Sequence, residues 1–350
     1  MNQPQTLLVT GGCGFIGSTF IRQRVTLGDT VIILDALTYA GHRENIQGVS
    51  GPGKVQLEVG NIIDEAFVKS LFSKYAFSGV VNFAAESHVD RSITGPSAFI
   101  ETNILGTFNL LRHSLDFFKT LSPAKQKTFR YLQVSTDEVY GSLGETGFFS
   151  EKTSYAPNSP YSASKASADF LARAWFHTYG LPTVTTNCSN NYGPRQFPEK
   201  LIPLMINHAV AGKNLPVYGN GKNVRDWIHV EDHCQGISLA LEKGDPGKTY
   251  CFGGSAERKN LDVVNLICKE LDLIRPKKTG ESYSQQITFV EDRLGHDWRY
   301  AIDDTVAQTT LGFKRKYTFE SGLKQTILWY LDNGPWCDAV VANAASAMNR

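Results

Sequence analysis

A chain of 350 residues, 41% of them hydrophobic, is long enough to bury a full core in one large domain or two smaller ones. Its 35 basic and 34 acidic residues are interspersed and leave a net charge of +1, which argues against a nucleic-acid or membrane surface. Six scattered cysteines without CxxC pairs or histidines at ligand spacing, no basic and apolar leader and no membrane-length apolar run lead us to expect a soluble cytoplasmic protein with free thiols and no metal.

In chain order, Leu7-Leu8-Val9 within 6–10 is a buried-strand signal, followed by Gly11-Gly12-Cys13-Gly14-Phe15-Ile16-Gly17 and helical composition over 18–27. Strand, glycine-rich turn and helix form the context of a dinucleotide site. Gly11 permits the tight turn, Gly14 lets backbone approach a pyrophosphate, and Gly17 allows close packing of helix on strand. The helix that follows turns its free N–H groups and dipole toward the phosphates, and Phe15 and Ile16 in the loop before it are further cofactor-binding candidates. Val31-Ile32-Ile33-Leu34 then ends at Asp35, about twenty residues past the glycines, where a carboxylate binds the adenosine ribose and repels a 2′-phosphate. NAD is therefore expected over NADP.

A third strand at 55–59 runs into Gly60-Asn61-Ile62, and Asp64 beyond it reads as a helix cap. Gly79-Val80-Val81-Asn82-Phe83-Ala84-Ala85 is a fourth strand and its exit, where small residues such as Ala84 leave room for cofactor. A long helical stretch contains Asn103 and the apolar Leu110, Leu111, Leu115, Phe117 and Phe118, which suit either core or a subunit contact. Tyr131-Leu132-Gln133-Val134 is a further strand, and Ser135-Thr136-Asp137-Glu138 sits at its end, where open α/β sheets place their chemistry.

The helical segment 162–179 places Tyr161 and Lys165 on one face, about 5.4 Å apart along the axis. An ammonium near a phenol favours the phenolate, so Tyr161 is expected to have a lowered pKa and to accept a proton from a substrate hydroxyl. The bland alternative, a surface tyrosine over a solvated lysine, weakens once the glycine turn and the Ser-Thr strand end accompany it. Strands at 183–187 and 248–252 flank a Pro-, Gly- and aromatic-rich region and a helix at 229–243.

Together the glycine turn, Thr136-Asp137-Glu138 and Tyr161-Ser-Ala-Ser-Lys165 resemble the extended short-chain dehydrogenase/reductases, and within them the nucleotide-sugar 4,6-dehydratases. The Asp-Glu pair points there because these enzymes must also expel water. The resemblance covers about 7–333. It implies a Rossmann doubly wound parallel sheet with a smaller, irregular α/β substrate-binding domain. The NAD domain would take 1–187 with a return at 225–254, the nucleotide-sugar domain 188–224 and 255–333, leaving 334–350 as a tail, either helical or disordered.

The same resemblance carries over site residues. Thr38 follows Asp35 toward the cofactor, and Asn61 stands where the family has an Asp on the adenine, so that contact keeps its amide oxygen but loses its charge. Ile62 adjoins it. The loop with Ser87 and His88 approaches cofactor and sugar, and Asn103 is a structural or relay element. Asn190, Asn191, Lys200, Leu201, Pro216, Tyr218, Arg225, Arg293 and His296 fall in segments that resemble the nucleotide-sugar site, with Lys200 and the arginines suited to a diphosphate. Leu294 replaces the family's usual Pro. The implied partner is a nucleotide sugar, and the implied assembly a homodimer through the helices carrying Asn103 and Tyr161.

The implied reaction is 4,6-dehydration of dTDP-glucose. Tyr161, aided by Lys165, deprotonates the 4-hydroxyl, Glu138 removes the C5 proton, Asp137 protonates the leaving 6-hydroxyl and Thr136 bonds near O4. Asp137 can donate only with a raised pKa, and the backbone must turn at 136–138 for both carboxyls to face one sugar. A UDP-sugar dehydratase, an epimerase of the same family and a non-catalytic NAD-binding protein remain the alternatives.

Overall fold

The computed structural model describes residues 4–292 and 296–348; Arg293 and Leu294 lie outside them. The chain begins with β1 (Thr6–Thr10), α1 (Phe15–Thr26), β2 (Thr30–Asp35), β3 (Lys54–Val59), α2 (Glu65–Lys74) and β4 (Gly79–Asn82). Helices α3 (Val89–Thr94) and α4 (Ser97–Phe99), a π-helical stretch Ile100–Gly106, α5 (Thr107–Thr120) and α6 (Pro123–Thr128) lead to β5 (Arg130–Val134). Helix α7 (Pro160–Tyr179) and β6 (Thr183–Cys188) complete this half.

Next come β7 (Asn190–Tyr192), α8 (Leu201–Val210), β8 (Leu215–Tyr218), β9 (Val224–His229), α9 (Val230–Lys243) and β10 (Thr249–Phe252). The remainder is β11 (Glu257–Lys259), α10 (Asn260–Ile274), β12 (Ile287–Val290), α11 (Phe319–Asp332) and α12 (Gly334–Met348).

Seven parallel strands lie in the order β3-β2-β1-β4-β5-β6-β10, so the winding reverses between β1 and β4 and opens a crevice at their carboxyl ends. Alternation along each strand supplies both faces. Leu7, Val9 and Ile33 pack against Phe20 and Ile21 of α1 and Ile237 of α9. Leu8, Ile32 and Leu34 pack on the opposite side with Leu71 of α2 and Leu110 and Leu111 of α5. Leu115 joins this core, and the partly buried Phe117 and Phe118 pack against it. Asp64 caps α2 by accepting from Phe67 N at 3.0 Å.

The second unit is built on the sheets β11-β9-β7 and β12-β8. Its core joins Ile202 and Ile206 of α8, Val264 and Ile267 of α10, and Leu323 and Ile327 of α11. Segment 334–348, whose structure the sequence left open, is helix α12. Its Trp336 packs on this core and donates through Nε1 to Asn45 Oδ1 at 3.1 Å, thereby touching the first unit.

Candidate active site

The glycine loop is closed by necessity. A Cβ on Gly17 would stand 2.4 Å from Gly11 O, and one on Gly11, whose φ is 65°, 2.7 Å from Ala84 N. Helix α1 therefore begins flush against β1. Its first turn has no side-chain cap and no acid, which leaves its N–H groups and positive dipole end toward the crevice. Asp35 ends β2, and its two oxygens accept from Cys13 N and Leu37 N, both at 2.8 Å. Burial raises its pKa and those two N–H bonds oppose the rise. Further lone pairs on each oxygen are left for a diol.

At the end of β5 the chain turns at once. Thr136 Oγ1 accepts from Glu138 N at 3.3 Å and caps a single 3₁₀ turn, Asp137–Tyr140. That turn is what allows two adjacent carboxyls to line one cavity. Asp137 is 2% exposed and its Oδ2 is buried without a hydrogen-bond partner. Its pKa stands well above the usual carboxylate range, first because of burial and then because of the charges of Glu138 and Asp226.

Helix α7 is set by Ser159 and Pro160 at its start and by Gly180, at φ 72°, past its end. It points Tyr161 and Lys165 inward. The expected depression of the Tyr161 pKa does not hold here: burial, followed by the charge of Glu138, raises it well above the ordinary phenol value. The reason is geometric. Lys165 Nζ donates to Val134 O at 2.7 Å, and burial lowers its own pKa. Helical spacing brings the two groups to one face but does not decide where the ammonium points.

A cleft of about 350 Å³ runs between the two units. It gathers Gly11, Gly14, Phe15, Ile16, Gly17, Asp35, Thr38, Asn61, Ile62 and Ala84 along one end. Thr136, Asp137, Glu138, Tyr161, Lys165, Ser87, Asn190, Asn191 and Lys200 line the rest. Asn61 Oδ1 accepts from Ile63 N at 3.1 Å, so part of its amide serves its own turn. Asn190 Oδ1 is buried without a partner, whereas Asn191 is a strut: its amide donates to Cys188 Sγ and Ser189 O, and its oxygen lies 2.8 Å from His233 Nδ1.

Other sequence candidates lie apart from the cleft lining. His88 caps α3 and faces Glu199 at 3.6 Å. Leu201 packs in the second core, and Pro216 and Tyr218 lie on β8, with Tyr218 exposed. Arg225 donates to the carbonyls of Val224, Asp297 and Trp298 under the Tyr300 ring, and so ties down the late loop. His296 pairs with Asp292 at 2.7 Å, and Arg293 lies outside the described residues. Asn103 exchanges hydrogen bonds with the backbone of Glu86 and donates to Ser164 Oγ at 2.8 Å, bracing the 86–92 loop on α7.

Sequence reasoning passed over several lining residues. Glu199 pairs with Arg91 at 3.1 Å and has a carboxyl raised by burial. It stands beside Lys200, in a run whose basic member alone drew notice. Phe197 stacks on His42 at 5.5 Å, and Asn45 Nδ2 donates to Cys13 O at 2.7 Å. No local pattern could find those two, because their partners lie far along the chain.

Comparison with known proteins agrees with this geometry. A family model described as GDP-mannose 4,6 dehydratase matches residues 8–326. A dTDP-glucose 4,6-dehydratase of Xanthomonas campestris pv. campestris (strain B100) is 54% identical over 336 residues, covering 96% of each chain. One from Salmonella typhimurium (strain LT2) is 51% identical over 348 residues, covering 97% of this chain and 96% of that one. The crystal structure of DesIV, a dTDP-glucose 4,6-dehydratase from Streptomyces venezuelae with NAD and dTDP bound, superposes with a TM-score of 0.87 at 42% identity, covering 96% of this chain and 99% of that one.

Proposed function

The chain belongs to the GDP-mannose 4,6 dehydratase family, and we propose that it is an NAD-dependent hydro-lyase acting on dTDP-glucose. One observation carries the reading: the Thr136-Asp137-Glu138 turn meets Tyr161 and Lys165 in the same cleft that the glycine loop and Asp35 line. The donor set suits the cofactor. An uncapped helix start would face its phosphates, Gly11 and Gly17 let that helix begin flush against β1, and Asp35 offers acceptors to an unphosphorylated ribose.

When bound, NAD supplies the acceptor for hydride from C4, its return to C6, and the positive charge of the nicotinamide. Burial disfavours the Tyr161 phenolate, and the positive charge that NAD would bring into the cleft, which Lys165 also lines, would favour it. Tyr161 then takes the proton of the 4-hydroxyl, while Thr136 gives a hydrogen bond near O4. The 4-ketone acidifies C5, and Glu138 removes that proton. Asp137 gives its proton to the departing 6-hydroxyl, which leaves as water. Its raised pKa supplies the donor at neutral pH.

The proposal extends to the division of labour. The half containing the glycine loop holds NAD, with 225–254 returning to it, and segments 188–224 and 255–333 hold the nucleotide sugar. Exposed Ile100, Leu105 and Phe170 beside α5 and α7 make a face suited to a homodimer. Six unpaired, buried thiols suit a reducing cytosol. The test is incubation of purified protein with dTDP-glucose, UDP-glucose and UDP-N-acetylglucosamine without added NAD, followed by mass spectrometry. Loss of one water from dTDP-glucose is expected; absence of turnover with all three overturns the reading.

A further inference from the structure

Between β7 and α8 the chain leaves the second unit, reaches over to the first and returns. Residues 195–200 make this crossing, and Arg195, Gln196, Phe197, Glu199 and Lys200 all line the cleft. The root of the crossing is braced on its own unit. Gln196 O accepts from Tyr330 OH of α11, Gln196 Nε2 donates to Asn191 O at 2.9 Å, and the Arg195 guanidinium lies 5.4 Å from the Trp329 ring centre. Arg195 has φ 70°, a left-handed conformation that a non-glycine residue keeps only where its surroundings hold it.

The tip rests on the first unit through side chains. The Phe197 ring stacks on His42 at 5.5 Å and meets Tyr39 edge-on at 6.0 Å. Glu199 Oε2 pairs with Arg91 of α3 at 3.1 Å, and its Oε1 faces His88 Nε2 at 3.6 Å. Arg91 in turn lies 3.8 Å from the centre of the Tyr39 ring. These partners belong to the dinucleotide end: Tyr39 and His42 follow Asp35 in the chain, and His42 N donates to Cys13 O of the glycine loop at 3.0 Å. Main-chain oxygens hold the root, whereas the tip depends on ring contacts and on an ion pair whose side chains are 33% and 20% exposed. A pair that water can reach is readily exchanged for water, so the tip is the end that releases.

We propose that segment 195–200 is a strap that keeps the cofactor in the cleft through the reaction, and that Arg91 and Glu199 are the positioning residues that fasten it. The inference rests on the reading of the cleft as an NAD site. The proposed reaction uses one cofactor for both hydride transfers, so its exit between them must be slow, and a strap fastened at the dinucleotide end bars that exit. Neither Arg91 nor Glu199 moves a proton; both act through the strap.

The test measures release of NAD from the purified holoenzyme, by displacement with labelled cofactor, in wild type, Arg91→Gln, Glu199→Gln and the double variant. Each single change should speed release about two- to fivefold, the range of one partly exposed ion pair. Because both remove the same fastening, the double variant should release no faster than Arg91→Gln. Phe197→Ala gives up two ring contacts and should speed release about tenfold. Dehydration of dTDP-glucose without added NAD should fade over successive turnovers in the variants and recover when NAD is supplied. Unchanged release, single effects that multiply in the double variant, or a loss of activity that added NAD does not mend overturns the proposal.

A second readout needs no substrate. Trypsin cuts after Arg195 and Lys200, both in the strap. Cleavage at these two bonds in the folded protein, located by mass spectrometry, should rise in both single variants; equal protection in all four proteins sinks the idea. Wild type that yields no nucleotide on denaturation would contradict the functional reading, and the cleavage rates would still decide whether Arg91 and Glu199 fasten the strap.

Discussion

Two neighbouring carboxyls receive opposite tasks from their surroundings. Asp137 is sealed in beside Glu138 and Asp226, which favours its protonated form, while Glu138, one residue on and half-buried, is the base we propose. Asp137→Asn should slow water loss by about 10²–10⁴-fold and leave C4 oxidation intact, read as accumulation of a 4-keto sugar that retains its 6-hydroxyl. Equal slowing of both steps would refute the assignment. The sign of the pH effect follows: a raised carboxyl is a donor below its pKa, so wild-type elimination should fall as pH rises through that value. Tyr161→Phe should instead stop the first oxidation, again by about 10²–10⁴-fold, and near-normal turnover would mean another base acts at O4. The glycines are as exacting. Gly17→Ala would press a methyl to 2.4 Å from Gly11 O, a backbone atom with nowhere to go, and should cost NAD binding, measured by the nucleotide released on denaturation. The identities of these residues were legible in the sequence because each motif is local. The state of Tyr161 was not, because the direction of Lys165 depends on a carbonyl of β5, thirty-one residues away in the chain.

Among the elements, the sheet strands and α7 could be read because alternation and helical spacing are written within each segment. The sequence started α1 at 18, whereas the helix begins at Phe15, since the glycines it follows pack as part of the turn. What could not be read is how distant elements meet. Helix α12 reaches the cofactor end through Trp336, whose Nε1 bonds Asn45, and Asn45 in turn holds Cys13 O of the glycine loop. Nothing in 334–350 announces that contact. Trp336→Phe keeps the ring and removes the donor. With about 0.5–1.5 kcal/mol for one hydrogen bond, NAD should leave about 2–10-fold faster, measured by displacement with labelled cofactor. An unchanged release rate would show that α12 has no hold on the loop.

For the molecule as a whole, the doubly wound order places the crevice between β1 and β4, and the second unit closes over it from β7, Lys200 and Phe197. The first unit was the more legible, because each strand end carries its own functional group. The second was less so: Arg225, read as a diphosphate ligand, also donates to carbonyls of the 297–298 loop, an anchoring that composition cannot reveal. In the proposed reaction one NAD stays in this cleft and is restored within each dehydration. The direct measurement supplies dTDP-glucose deuterated at C4, without added NAD, and locates the label by mass spectrometry and NMR. One water should be lost and the deuterium carried to C6 of the same sugar; a 4-keto-6-deoxy product with no deuterium at C6, or no dehydration at all, would contradict a retained, recycled cofactor.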